Sequence, residues 1–347
     1  MIHFNCDYSE GAHPLILEKL AQTNLEQLPG YGQDTYCLQA AARIKQLCHA
    51  PDADVHFFAG GTQTNLTVLA ALLRPYQCVI STDLGHINVH EAGAIETTGH
   101  RIQTVPHQHG KLTAEQVAQA CKAHWQDDNP EFAPQPKVVY ISFSTELGTL
   151  YTKQELHDLR RVCDEHNLFL FMDGARLGYG LAAPGNDVTW ADIAACCDAF
   201  YIGGTKIGAL LGEAVVLVNP KIQKDFRYYM KQRGAILAKG RILGIQFLTL
   251  LQDDLYLSLA AHANRLAAQI RQACQTLNLP FLCDSPTNQQ FPIVPNTLLK
   301  ALEETYVFSH IRALGNDKTA IRICTSWATP QEEVDQLLAD LHRLGGK

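Results

Sequence analysis

No Cys-x-x-Cys pair occurs among the eleven cysteines of this 347-residue chain, and their odd number and scatter suggest no disulfide framework. Free cysteine behaves as a small buried hydrophobe, so reduced core thiols and a cytoplasmic location are expected. No basic block interleaved with aromatics is present and the formal charge is −7, which argues against a nucleic-acid partner. No apolar run reaches the roughly 18 residues of a membrane span, so no membrane role is expected. The start, MIHFNCDYSEGAHP, has neither the basic beginning nor the apolar centre of a secretory signal. Internal repeats and low-complexity tracts are also missing. What remains has the balance of a compact globular protein, 46% apolar and 18% charged, and is long enough for one large and one smaller domain.

Strand and helix patterns alternate along most of the chain. DVHFF, CVIST, RIQTV, KVVYISF, LFLFMD, AFYIGG and EAVVLV read as strands, with helical periodicity between many of them. An early helix is expected over residues 14–28, another after Asp34, and a further one around INVHEAGAIE. This is an α/β fold with a mostly parallel sheet covered on both faces. From Arg241 a long helical region leads to TNQQFPIVP, TYVFSH, AIRICTS and a terminal helix from Pro330. The expected division is therefore an arm and large domain over residues 1–240 and a smaller α+β domain over 241–347.

Ligands of open parallel sheets bind at the carboxyl ends of the strands, which singles out four places. FAGGTQTN sets Gly60, Gly61, Thr62 and Gln63 at a helix start, either a plain strand–helix turn or an anion site; it is neither a Walker nor a Gly-x-Gly-x-x-Gly loop. His86 follows VIST. Asp173 ends an apolar strand, and its partner is either Arg176 or a protonated ring nitrogen on a ligand. Lys206 stands among Gly203, Gly204 and Gly208 after another strand. Lysine is rarely buried without a partner or a task. A strand-end lysine, a buried aspartate and an anion cup together answer the separate needs of pyridoxal 5'-phosphate: a covalent anchor, a holder of ring charge and a phosphate site.

The ordered motifs GGTQTN, HINVHEAG, DGARLG, GGTKIGALLGEAVVL and RICTSWAT, with PGYGQDTY near the start, resemble the threonine aldolase and β-eliminating lyase family. The resemblance runs over essentially the whole chain. It implies an aspartate-aminotransferase-like, pyridoxal-phosphate-dependent fold of type I and a lyase acting on a small amino-acid substrate. It further implies that Lys206 forms the Schiff base, Asp173 partners the pyridine nitrogen and His86 stacks on the ring. Gly61, Thr62 and Thr205 would bind the phosphate, and Arg176 and Arg322 the substrate carboxylate. A homodimer or homotetramer is expected by resemblance only.

Two positions depart from the family pattern. Cys6 stands where a carboxylate-binding serine is common, and Thr145, followed by Glu146, stands where a second histidine serves the β-hydroxyl. The sequence is nearer the phenylserine-aldolase-like branch, and Glu146 or a water becomes the candidate base. The leading expectation is retro-aldol cleavage of L-threonine, L-allo-threonine or phenylserine-type substrates to glycine and an aldehyde. β-Elimination, transamination and a non-catalytic relative are the alternatives. His86 and His90, four residues apart, could share a metal, but no third ligand stands at a motif spacing, and no metal is expected. The basic stretch with Lys231, Arg233, Lys239 and Arg241 is either a solvated turn or lies near the active site, touching a neighbouring subunit's phosphate.

Overall fold

In a computed structural model that describes residues 1–345, the period-two apolar segments become strands. Numbered along the chain, β1 (Ile2–His3) lies in the N-terminal arm. One sheet then holds β2 (Asp54–Phe58), β3 (Gln77–Thr82), β4 (Arg101–Val105), β5 (Gln135–Ser142), β6 (Phe169–Asp173), β7 (Ala199–Gly203) and β8 (Glu213–Leu217). Their spatial order is β2-β8-β7-β6-β5-β3-β4. Neighbours run parallel except around β8, which is antiparallel to both β2 and β7.

Successive side chains of a strand point to opposite faces, so each central strand divides between two cores. Val139 and Ile141, Leu170 and Met172, and Phe200 and Ile202 join one. Val138 and Tyr140, Phe171, and Ala199 and Tyr201 join the other. By the same period Asp173 shares the face of Phe171. It ends a strip of packed aromatics, with the Phe171 ring 5.8 Å from Tyr140 and 6.4 Å from Tyr201 between centroids. The helix Gly61–Leu72 packs over this face and buries Val68, Leu69 and Leu72 in it.

The C-terminal part adds β9 (Gln289–Gln290), β10 (Ile293–Pro295), β11 (Tyr306–Val307), β12 (Ser309–Leu314) and β13 (Lys318–Cys324). β13 is antiparallel to β9, β10 and β12, while β11 pairs parallel with β1. The arm is thereby stitched to a third core that includes Phe4, Ile270, Ile321 and Leu337. A two-residue strand carries too little periodicity for β1 to be legible in sequence.

Two expected helices come out shorter, for local reasons. The first covers Pro14–Gln22 rather than residues 14–28, because the Thr23 hydroxyl turns back to the Lys19 carbonyl at 2.8 Å and closes the helix. Around INVHEAGAIE only His86–Val89 is α-helical. Ala92 and Gly93 take positive φ, and the buried Glu91 is drawn inward by hydrogen bonds. The outer helices Ala114–Trp125 and Lys153–Glu165 open with complete capping boxes from Thr113 and Thr152. Gly61–Leu72, preceded by Gly60, has no side-chain cap.

At the carboxyl ends of β6 and β7 the backbones nearly touch. A Cβ on Gly174 would lie 1.7 Å from the Tyr201 carbonyl oxygen, and one on Gly203 would lie 2.4 Å from that of Ala175. Gly174→Ala is expected to cost at least the ~1–3 kcal/mol typical of overpacking, because only backbone movement relieves the clash. Gly11→Ala, with open space around it, is the neutral control. Urea unfolding midpoints check both.

Candidate active site

The strand ends enclose a cavity of about 290 Å³ lined by Gly61, Thr62, His86, Glu146, Asp173, Arg176, Thr205 and Lys206, among others. Cys6 and Arg322 are outside its lining. A larger groove of about 950 Å³ between Arg74, Trp125 and Lys221 lies at the amino ends of the strands and contains none of these groups.

Asp173 is 4% exposed, and its carboxylate is held by neutral donors. Oδ1 accepts from the Tyr201 hydroxyl at 2.5 Å and the Ala175 amide at 3.0 Å; Oδ2 accepts from the Tyr140 hydroxyl at 2.5 Å and Asn65 Nδ2 at 3.0 Å. Burial raises its pKa, but the neighbouring His86 and the hydrogen bonds from the two phenols and the Ala175 amide outweigh this and hold the carboxyl below its usual range. The Asp173–Arg176 pair left open by the sequence does not form. Arg176 turns to Asp7, which it grips through Nε at 2.8 Å and Nη2 at 2.9 Å. Burial raises the Asp7 pKa, but Arg176 and Lys206 together with the Asn288 amide bring it down to about 2. Nη1 of Arg176 is left for another partner.

Asn65 extends the network. Its amide nitrogen also donates to Glu91 Oε1 at 2.7 Å, and that oxygen receives His86 Nδ1 at 2.8 Å. Asp173, Asn65, Glu91 and His86 therefore form one chain, which sets the edge of the imidazole. Glu91 Oε2 and Ser144 Oγ are buried without a partner among the described residues. Glu146 accepts from Ser142 Oγ at 2.7 Å and the His86 amide at 3.1 Å, and burial raises its pKa. Thr145 is fully occupied elsewhere, bonded to the Thr149 hydroxyl at 2.6 Å.

Lys206 sits in a turn that is tightly fixed. Gly204 and Thr205 donate their amides to Gly212 O, Tyr179 donates to Lys206 O at 2.5 Å, and Tyr256 donates to Gly203 O at 2.8 Å. Gly204 is needed because a Cβ there would be 2.8 Å from Gly212 O, and Gly208 because its φ is +87°. The amine itself has no hydrogen bond or ion pair among the described residues; the Tyr8 ring centroid lies 6.0 Å from Nζ. Burial, then the Arg176 charge, lowers the lysine pKa, with Asp7, Asp173 and Glu213 opposing. Glu213 is pushed up to about 8 by burial.

Cys6, Arg322, His90 and the basic stretch are outside the cavity lining. Cys6 is half-buried, its Sγ 3.1 Å from Ser9 Oγ. Arg322, on β13, donates Nη2 to Asn5 O at 2.9 Å, and its buried Nε lacks a partner. The His86 and His90 rings are 5.4 Å apart, and no group of three or more metal-ligating side chains exists among the described residues. Lys231 and Lys239 are exposed; Arg241 binds the Glu26 and Asn24 carbonyls; Arg233 offers its carbonyl to Gln63. Asp7, Asn65, Glu91 and Glu213 were missed by sequence reasoning. Asn65 and Glu91 stand within motifs already singled out, but their inward direction is a tertiary fact.

Asp7→Asn is expected to leave the Arg176 guanidinium buried without a counter-charge and to cost ~3–5 kcal/mol, read as a lowered urea midpoint. The Asp7 carboxyl stabilises the fold above its ordinary value of 3.8 and loses that contribution as pH falls through about 2. Acid titration of stability should accordingly be shallower in the variant over that window.

Comparison with known proteins agrees with this architecture. The family model described as beta-eliminating lyase matches residues 9–296. A low specificity L-threonine aldolase of Pseudomonas aeruginosa is 31% identical over 99% of this chain and 98% of its own length. A second, from a Pseudomonas species, is 31% identical over 97% and 96%. A solved threonine aldolase structure from Leishmania major superposes with a TM-score of 0.97 at 45% identity, covering 99% of this chain and 100% of that one. A Thermus thermophilus aspartate aminotransferase shares the fold, with a TM-score of 0.73 at 15% identity over 99% and 91%. With a family model spanning most of its length and near end-to-end relatives, the chain belongs to the beta-eliminating lyase family.

Proposed function

We propose that the protein is a pyridoxal 5'-phosphate-dependent aldolase that cleaves L-β-hydroxy-α-amino acids to glycine and an aldehyde. The observation that carries this reading is the placing of an unpartnered lysine amine in one cavity with an uncapped helix start and a buried carboxylate. The residues present fit the cofactor. The first amides of Gly61–Leu72 have no side-chain cap, Thr62 and Thr205 add hydroxyls, and a Cβ at Gly61 would crowd the Tyr201 hydroxyl at 3.2 Å. Bound there, the group supplies an electron sink for the pair released at Cα.

Each side chain then has one task. Lys206 holds the aldehyde. Asp173, kept ionised by Tyr140, Tyr201 and Asn65, holds a proton on the ring nitrogen through a charge-assisted bond. His86, its edge fixed by Glu91, would offer its imidazole face to the ring. Arg176 would use Nη1 for the substrate carboxylate, and closure of the C-terminal sheet would bring Arg322 to the same group. Clamping the carboxylate decides which Cα bond stands ready to break. Glu146 is the base for the β-hydroxyl proton. It lines the cavity, its raised pKa suits a proton acceptor, and Thr145 is a hydroxyl already in use.

The cofactor-loaded protein should form equimolar glycine and acetaldehyde from L-allo-threonine, and Lys206→Ala should form neither. Ammonia and a keto acid in their place would turn the reading to β-elimination, and a new amino acid would turn it to transamination. Asp173→Asn should slow glycine formation by about one to two powers of ten, the rate equivalent of a charge-assisted bond of ~1.5–3 kcal/mol. An unchanged rate would remove the aspartate from the chemistry.

A further inference from the structure

Glu213 opens β8, which runs antiparallel to β7 and pairs Glu213 with Gly203, so its side chain enters the cavity beside the turn that carries Lys206. It is 4% exposed. Oε1 accepts from Thr205 Oγ1 at 2.9 Å and Oε2 from the Gly204 amide at 3.3 Å, an amide that is also bonded to Gly212 O. A neutral glutamine would serve the same Thr205 hydroxyl, so holding the turn does not require a carboxyl. No cation lies within ion-pair distance of Glu213 among the described residues. The titratable groups that face it are Lys206 in the turn, Asp173 of β6, Tyr201 of β7 and Tyr256 of the helix Leu255–Thr276. β2 presents Phe58 opposite it.

The other carboxylates near Lys206 have other partners or tasks, Asp173 being the one assigned to the ring nitrogen. Asp7 is gripped by Arg176, and Asp173 has four donors. Glu213 has one hydroxyl and a shared amide, which leaves its charge free to follow that of the lysine. We propose that Glu213 is the ionisable counter-charge of Lys206, and that its carboxylate makes the lysine nitrogen, once joined to the cofactor aldehyde, keep its proton into alkaline pH. The protonated nitrogen is the form that an incoming substrate amine attacks. The step is an ionisation: the Glu213 carboxyl O–H gives up its proton to solvent, and the carboxylate that remains favours retention of the neighbouring N–H. Glu213 acts through Lys206 and is a positioning residue. This inference rests on the reading of Lys206 as the cofactor-holding residue.

The test is a pH titration of the lysine–cofactor absorption in the loaded wild-type protein and in Glu213→Gln. Removing the carboxylate favours the unprotonated nitrogen, so the variant should titrate in a single one-proton step. Its midpoint should lie about one unit or more below the upper step of the wild type, a tenfold loss in proton affinity. Glu213→Asp, which keeps a carboxylate, should move back toward the wild type. Borohydride reduction followed by mass analysis reports whether Lys206 carries the adduct. An adduct with the same midpoint in wild type and Glu213→Gln, both melting alike, overturns the counter-charge alone; no adduct in either overturns the cofactor reading with it. Should Glu213→Gln not fold, carbon-13 glutamate NMR of the cofactor-free wild type and Lys206→Ala applies. Loss of the lysine cation should raise the midpoint of one glutamate by about a unit or more, and no such shift in any glutamate overturns the proposal.

Discussion

Burying charge around one small cavity is the constraint on which the rest of this structure depends. Asp7 and Asp173 are buried there and Arg176 and Lys206 half-buried, and a charge withdrawn from water without compensation is costly. The fold meets the cost differently for each group. Asp7 and Arg176 form a bidentate pair across the arm and the large sheet. Asp173 is satisfied by two phenols and two amides, so it stays ionised without using up a cation. Lys206 has no direct partner among the described residues and sits in a turn whose backbone is held from several sides.

These solutions follow from how the sheet is built. Period-two alternation puts Tyr140, Phe171, Tyr201 and Asp173 on one face, so a strip that begins as apolar packing ends in hydroxyl groups aimed at a carboxylate. The covering helix contributes Asn65 from the same layer, and Asn65 passes the order on to Glu91 and His86. Reversal of β8 brings Glu213 beside the lysine turn, where a strand running the other way would have placed its far end. A sheet in which all strands ran parallel would have offered one fewer carboxyl at this end.

The N-terminal arm shows how a short segment acquires weight. β1 has two residues, yet its pairing with β11 ties the arm to the C-terminal part, and Asn5 O receives Arg322. Asp7, a few residues on, reaches Arg176 and Asn288. The arm therefore touches both carboxylate-binding arginine candidates at once. Movement of the C-terminal sheet would be felt at Arg176 through Asp7.

The strands of the main sheet were legible because their apolar runs are long and bounded by turn residues, and the glycine turn, Asp173 and Lys206 were legible because each follows such a run. The family resemblance came from motif order, which is a property of sequence. What the sequence could not decide was pairing. Whether Arg176 faced Asp173 or something else depended on Asp7, 169 positions away in the chain. INVHEAGAIE has helical apolar spacing, but the helix stops at Val89, Glu91 turns inward to Asn65 and His86, and Ala92 and Gly93 take positive φ. Local pattern determines where strands, turns and reactive side chains fall, because backbone propensity and side-chain period act over a few residues. The partner of a buried charge is chosen by desolvation, which is set only when distant segments close over it, so that choice belongs to the tertiary structure.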